Sequence, residues 1–144
     1  MDIVIEMPDS LSINLNDTSG DLEVRNVRSL ELEDGSGDII VDTITGDLTI
    51  KDGSGGIQVS KVGGNVRVED GSNDILVSDV FGDVIIEEDG SGNIVVFDVQ
   101  GSFIVREDGS GDIEASDIFG DFTVDRDGSG SIEHENIGGR VSLP

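Results

Sequence analysis

The sequence predicts an all-β fold, a parallel β-solenoid (β-helix) wound from a single chain, and three observations carry that prediction. A motif beginning Asp-Gly-Ser recurs at Asp34, Asp52, Asp70, Asp89, Asp108 and Asp127, at spacings of 18, 18, 19, 19 and 19 residues. Each interval holds two short runs in which apolar and polar residues alternate with period two, the signature of strands. The 21 glycines fall mostly at fixed places between those runs, as turn residues do. No segment shows the three- and four-residue apolar spacing of a helix.

With Asp at the first position, the consensus is Asp-Gly-Ser-Gly-x-Ile-x-Val-x-Asp-Val-x-Gly-Asp-Val-x-Val-x, with an extra residue at the end of the longer units. Seven units cover 17–144, the first opening on the degenerate Asp17-Thr18-Ser19-Gly20. Residues 1–16 read as a diverged N-terminal half-coil with its turn at Pro8-Asp9, and 1–144 as one domain. The apolar positions are the sixth, eighth, eleventh, fifteenth and seventeenth. They are Ile39, Val41, Ile44, Leu48 and Ile50 in the second unit, and Ile94, Val96, Val99, Phe103 and Val105 in the fifth. One unit cannot bury five such side chains alone. Stacked units can, because like positions then lie above one another at roughly 4.8 Å per coil. The expectation is about seven to eight coils of 17–19 residues, stacked to about 35 Å, with the right-handed coiling usual for parallel crossovers. An antiparallel sandwich is the rival, but it has no need of identical turns in a fixed register.

Charge narrows the partners. The chain carries 32 acidic and 8 basic residues, a formal net charge of -24. Such a surface repels nucleic acid and anionic lipid. No apolar run reaches the roughly 18 residues of a membrane span. There are no cysteines, hence no disulfides, thiolate metal ligands or cysteine nucleophiles. The opening Met1-Asp2-Ile3-Val4-Ile5-Glu6 does not read as a signal peptide.

The tandem Asp-Gly-Ser-Gly-Asp-Ile with an intervening Val-x-Gly-Asp-Val resembles a bacterial adhesin-type β-strand-repeat family. This is a domain of unknown function related to head-GIN autotransporter-adhesin-like proteins. The resemblance runs the whole length, through Gly139-Arg140-Val141-Ser142-Leu143-Pro144. It implies a solenoid in an exported setting, periplasmic, cell-surface or secreted, with adhesion as the inferred role. It carries no active-site motif.

Several acidic columns follow from the register. The first-position residues Asp17, Asp34, Asp52, Asp70, Asp89, Asp108 and Asp127 form one column, with fifth-position Asp21, Asp38, Asp74 and Asp112 nearby. Asp47, Asp83 and Asp121 lie at another corner, and Asp79, Asp98 and Asp117 two-thirds of the way round. An Asp leading Gly-Ser-Gly can accept from backbone N–H groups two and three residues on, forming an Asx turn. Gly35 and Gly37 are expected to supply the positive φ angles of that corner. The sharper reading makes the columns calcium ligands, since turn carboxylates at every corner are how β-rolls hold Ca²⁺. No other cofactor is indicated. The spacing departs from the β-roll pattern, because Gly-Ser-Gly-Asp-Ile is not Gly-Gly-x-Gly-x-Asp. The stretch from Asp125 to Glu133 imitates an EF-hand start, yet its twelfth position is Asn136 in place of the bidentate Glu.

Catalysis has little support. His134, the only histidine, occupies an eighth position in the last coil. Serines belong to turns, and abundant carboxylates lose their diagnostic value for glycosidase chemistry. A carbohydrate-active solenoid enzyme would need longer loops over a groove, so the chain is expected not to be an enzyme. The outward strand positions are more informative. Leu76, Val95 and Ile40 at the seventh position, Ile85 and Ile104 at the sixteenth, and Phe81, Phe97 and Phe119 suggest an interaction surface on the central coils. Its partner would be a surface protein, a glycan or a second copy, joined laterally or by stacking of open strand edges. Pro8, Pro144 and Gly138-Gly139-Arg140 read as weak caps against that stacking.

Overall fold

The computed structural model describes residues 3–6 and 12–144, and its core is the column of apolar rungs that the repeat predicts. The first sheet contains β1 (Ile3–Glu6), β3 (Leu22–Val27), β5 (Ile39–Ile44), β7 (Ile57–Val62), β9 (Ile75–Val80), β11 (Ile94–Val99), β13 (Ile113–Ile118) and β15 (Ile132–Ile137). The second contains β2 (Ser12–Asp17), β4 (Ser29–Asp34), β6 (Leu48–Asp52), β8 (Val66–Asp70), β10 (Val84–Asp89), β12 (Phe103–Val105), β14 (Phe122–Val124) and β16 (Val141–Ser142). Neighbours in each sheet are parallel and two strands apart in sequence, so each coil gives one strand to each sheet. This is an all-β solenoid. No helix among the described residues is long and apolar enough to cross a membrane.

The apolar positions face inward in both sheets. Ile75, Val77, Val80, Val84 and Ile86 of one coil are all buried, and the same five positions are buried in the coils on either side. Burying a Val or Ile side chain contributes roughly 1.5–3 kcal/mol, so the five inward positions are the chief apolar contribution of each coil. Phe103 and Phe122 replace the aliphatic rung at the fifteenth position and stack with ring centroids 5.2 Å apart. The core opens at its last rungs, where Ile132, Ile137 and Val141 are only partly buried and His134 is exposed.

Two local rules shape the coil. The tenth position is left-handed throughout: Asn26, Thr43, Lys61, Asp79, Asp98, Asp117 and Asn136 have φ between 52° and 61°. It bends the chain between the eighth and eleventh positions, and both remain inward. Asn and Asp tolerate this conformation best, which accounts for Asp79, Asp98 and Asp117. The fourth position carries the positive φ of the Gly-rich corner, as at Gly37 (φ 114°) and Gly55 (φ 121°). Gly35 does not share it, contrary to expectation. The second position needs glycine because a Cβ there would come within 2.6 Å of the Thr18 carbonyl oxygen of the coil before.

The N-terminal segment differs from its sequence reading. β1 and β2 extend both sheets, pairing with β3 and β4, so this stretch supplies a strand to each sheet instead of half a coil. The expected turn and cap at Pro8-Asp9 lie outside the described residues.

Candidate functional site

Aspartate occupies two kinds of column, and strand parity decides which. In the second sheet the inward residues are the fifteenth, the seventeenth and then the Asp that opens the next unit, as in Leu48, Ile50 and Asp52 of β6. The first-position carboxylates therefore point into the solenoid. Register keeps them aligned: Asp17 pairs with Asp34, Asp34 with Asp52, Asp52 with Asp70 and Asp70 with Asp89. Isolated parallel bridges carry the column on through Asp108 to Asp127. The extra residue of the longer units is absorbed just before it. The β8–β10 register shifts between Ile86 and Glu88, leaving Glu87 as the bulge. Glu87 joins an exposed ion-pair chain with Arg67 (3.4 Å) and Arg106 (3.9 Å), and Arg106 meets Asp125 at 3.5 Å.

The interior column is deeply desolvated. Asp34, Asp52, Asp70, Asp89 and Asp108 are 1–5% exposed, and they are the buried charged residues among those described. The predicted Asx turn forms in part: Ser54 N–H donates to Asp52 Oδ1 and Ser72 N–H to Asp70 Oδ1, both at 3.2 Å. The Oδ2 atoms of both aspartates have no hydrogen-bond partner. In Asp34, Asp89 and Asp108 neither carboxyl oxygen has one. The amides of Ser36, Ser91 and Ser110 lie near enough to favour the charged form, but outside hydrogen-bonding geometry. Burial pushes the Asp52 and Asp108 carboxyls up to about 6 and those of Asp70 and Asp89 up to about 7. Asp34 is raised by the same cause. Repulsion within the column adds to it, from Asp34 on Asp52, from Asp52 and Asp89 on Asp70, and from Asp108 on Asp89.

The outward columns are built differently. At the fifth position, Asp38 N–H donates to Asp21 Oδ1 (3.0 Å), and Gly56 N–H to Asp38 Oδ1 (2.9 Å). Asn93 N–H donates to Asp74 Oδ1, Asp112 N–H to Asn93 Oδ1 and Ser131 N–H to Asp112 Oδ1, each at 2.9 Å. The fourteenth position repeats the device through Asp47, Asn65, Asp83, Ser102 and Asp121, at 2.8–3.0 Å. Each side chain thus accepts the backbone N–H of its counterpart one coil on. Amide and hydroxyl of Ser131 hold the Asp112 carboxyl below its ordinary value.

Among the described residues, no group of three or more His, Asp or Glu side chains is placed to hold a metal ion. First- and fifth-position carboxylates flank the same turn in several coils, but one faces inward and the other outward, so the calcium expectation has no converging ligand set among the described residues. The expected interaction surface is divided. Leu76, Val95 and Phe97 face outward on the first sheet, Ile85 and Ile104 outward on the second, all half-buried by flanking strands. Phe81 and Phe119 stand at a corner, 73% and 67% exposed. These seven do not form one patch, because the seventh and sixteenth positions lie in different sheets. His134 lies 6.1 Å from the Phe122 ring.

Sequence reading assigned the inward column to the Gly-rich turn and did not foresee its burial. In the 18-residue units the signal was present, because period two run past the seventeenth position lands on Asp52 and Asp70. In the unit that opens at Asp70 it lands on Glu88, and the bulge brings Asp89 inward. Comparison of the chain with protein families, curated proteins and solved structures finds no match.

Proposed function

We propose that the chain is a non-enzymatic structural and adhesive module of a bacterial cell envelope, exported as a stiff, acidic β-solenoid. The observation that supports this reading best is the rung-to-rung bonding of the outward Asp, Asn and Ser columns. Four of the steps from one coil to the next are fastened by side chains at both corners and two at one corner, Gly56 leaving a gap in the fifth-position column. All are joined through both strand ladders. Short links of one to seven residues between strands, most of them three or four, keep the surface regular, as suits a spacer or a display rod. The resemblance to adhesin-type repeats supplies the envelope setting. A net charge of -24 turns nucleic acid away, and leaves a surface protein, a glycan or a second copy as the partner class.

Protease shaving of intact producing cells, followed by antibody detection, tests the setting. Surface digestion with intact cytosolic markers is the expected result, and a product recovered only in the cytosol would sink the proposal. Two rivals have their own readouts. A calcium-stabilised β-roll predicts a rise in Tm with millimolar Ca²⁺ that EDTA reverses and monovalent salt does not reproduce. A carbohydrate-active enzyme predicts new reducing ends from polysaccharide substrates.

A further inference from the structure

We propose that the interior aspartate column is a proton-binding ladder, in which buried carboxyls of successive coils hold protons from solvent and thereby couple coil stacking to proton uptake. Four features of the geometry lead there. The column runs in strict register from Asp34 to Asp108. Its members are at least 95% buried. Every one of them carries a carboxyl oxygen without a partner. No cation answers them: the ion pairs of the described residues involve Arg25, Arg67 and Arg106, all on outward faces.

A row of carboxylates at roughly 5 Å pitch in a desolvated interior cannot stay fully ionised without a compensating charge. No described cluster is fit for a metal ion, and the proton is the one cation that needs no coordination sphere. A protonated carboxyl also turns an acceptor into a donor, and gives the unpartnered oxygen of its neighbour a hydrogen bond to accept.

The groups that face the column are its own members and, across the turn, Asp21, Asp38 and Asp74. Every buried side chain of the opposite sheet is apolar. The residues just before the column, Glu33, Lys51, Glu69, Glu88, Glu107 and Arg126, occupy outward positions. The sign follows from raised carboxyl pKa values. The folded chain binds more protons than the unfolded one between the ordinary value of 3.8 and about 7. Stability is then fullest below that window, falls as pH rises through it, and levels off above it.

Thermal unfolding of the whole chain from about pH 5 to pH 9 at fixed ionic strength tests this, beside the double variant Asp70→Asn, Asp89→Asn. The wild-type Tm is expected to fall by several degrees between about pH 5 and pH 8. The double variant should lose at least half of that slope and exceed the wild type at the alkaline end. A flat wild-type profile, or an unchanged slope in the variant, overturns the proposal. As a control outside the column, replacing the exposed histidine of the last coil, His134→Gln, should leave the slope intact. Should the double variant not fold, carboxyl-carbon NMR of the wild type decides: inflections of Asp70 and Asp89 near neutrality support the ladder, and inflections near 4 refute it. Calcium chloride at about 5 mM and pH 8 completes the set. A Tm gain beyond that from matched magnesium, abolished in the double variant, would make a metal ion the compensating charge and end the proton reading.

Discussion

The interior and outward aspartate columns use one residue type for opposite purposes. Asp74 and Asp112 stand in solvent and spend a carboxylate oxygen on the next coil's backbone N–H, and in Asp112 the Ser131 amide and hydroxyl hold the carboxyl below its ordinary value. Asp70 and Asp89, four residues before Asp74 or one coil on, lie inside with carboxyl oxygens unpartnered, an arrangement that favours the neutral form. The difference teaches that the repeat's acidity is not one property. One set of carboxylates fastens coils together by accepting backbone N–H groups, as Asn65 and Asn93 do at the same positions, and the other is tolerated to the extent that it is not ionised. Strand parity, corrected by a bulge in the longer units, separates them.

The comparison can be broken most severely at the corner that joins the columns. Gly55→Ala places a Cβ against the Gly37 carbonyl at φ 121°, and is expected to cost about 3 kcal/mol or more, read as the shift in the urea midpoint. Removing one outward rung is milder. Asp83→Ala strips the acceptor from the Ser102 N–H and should cost about 1 kcal/mol. Asp83→Asn should stay within about 0.5 kcal/mol, since Asn65 makes the same bond one coil earlier. A loss as large as that of the alanine variant would show that charge, not acceptor geometry, holds the rung.

Acid sharpens the contrast by sign. The Asp112 carboxyl is lowered, so its contribution is present above 3.8 and is lost as pH falls through its folded value. The interior column changes in the opposite sense, losing stability as pH rises through about 6 to 7. Asp112→Asn should therefore blunt the acid limb of a Tm–pH curve and leave the neutral limb alone. The smallest effect is expected outside both columns. Arg106→Ala removes an exposed link between Glu87 and Asp125, and should change stability by less than about 0.5 kcal/mol.

Much of this was legible in the chain. The Ile, Val and Leu at the sixth, eighth, eleventh, fifteenth and seventeenth positions told the coil, the core and the parallel register, because identical units bury apolar faces only by stacking. The 19-residue spacing also told where the extra residue goes, and Glu87 bulges at that place. The seventh and sixteenth positions were legible as outward. That Leu76 and Ile85 face opposite ways was not, because sheet membership is a property of the closed coil.

The sequence by itself determined the repeat, the turn chemistry and the excess of acid, all of which follow from local periodicity and composition. Only the tertiary structure decided which carboxylates are wet and which are dry. Desolvation is collective: the alternation in β8 points Asp70 inward, but it is dry only because coils above and below it close over the interior.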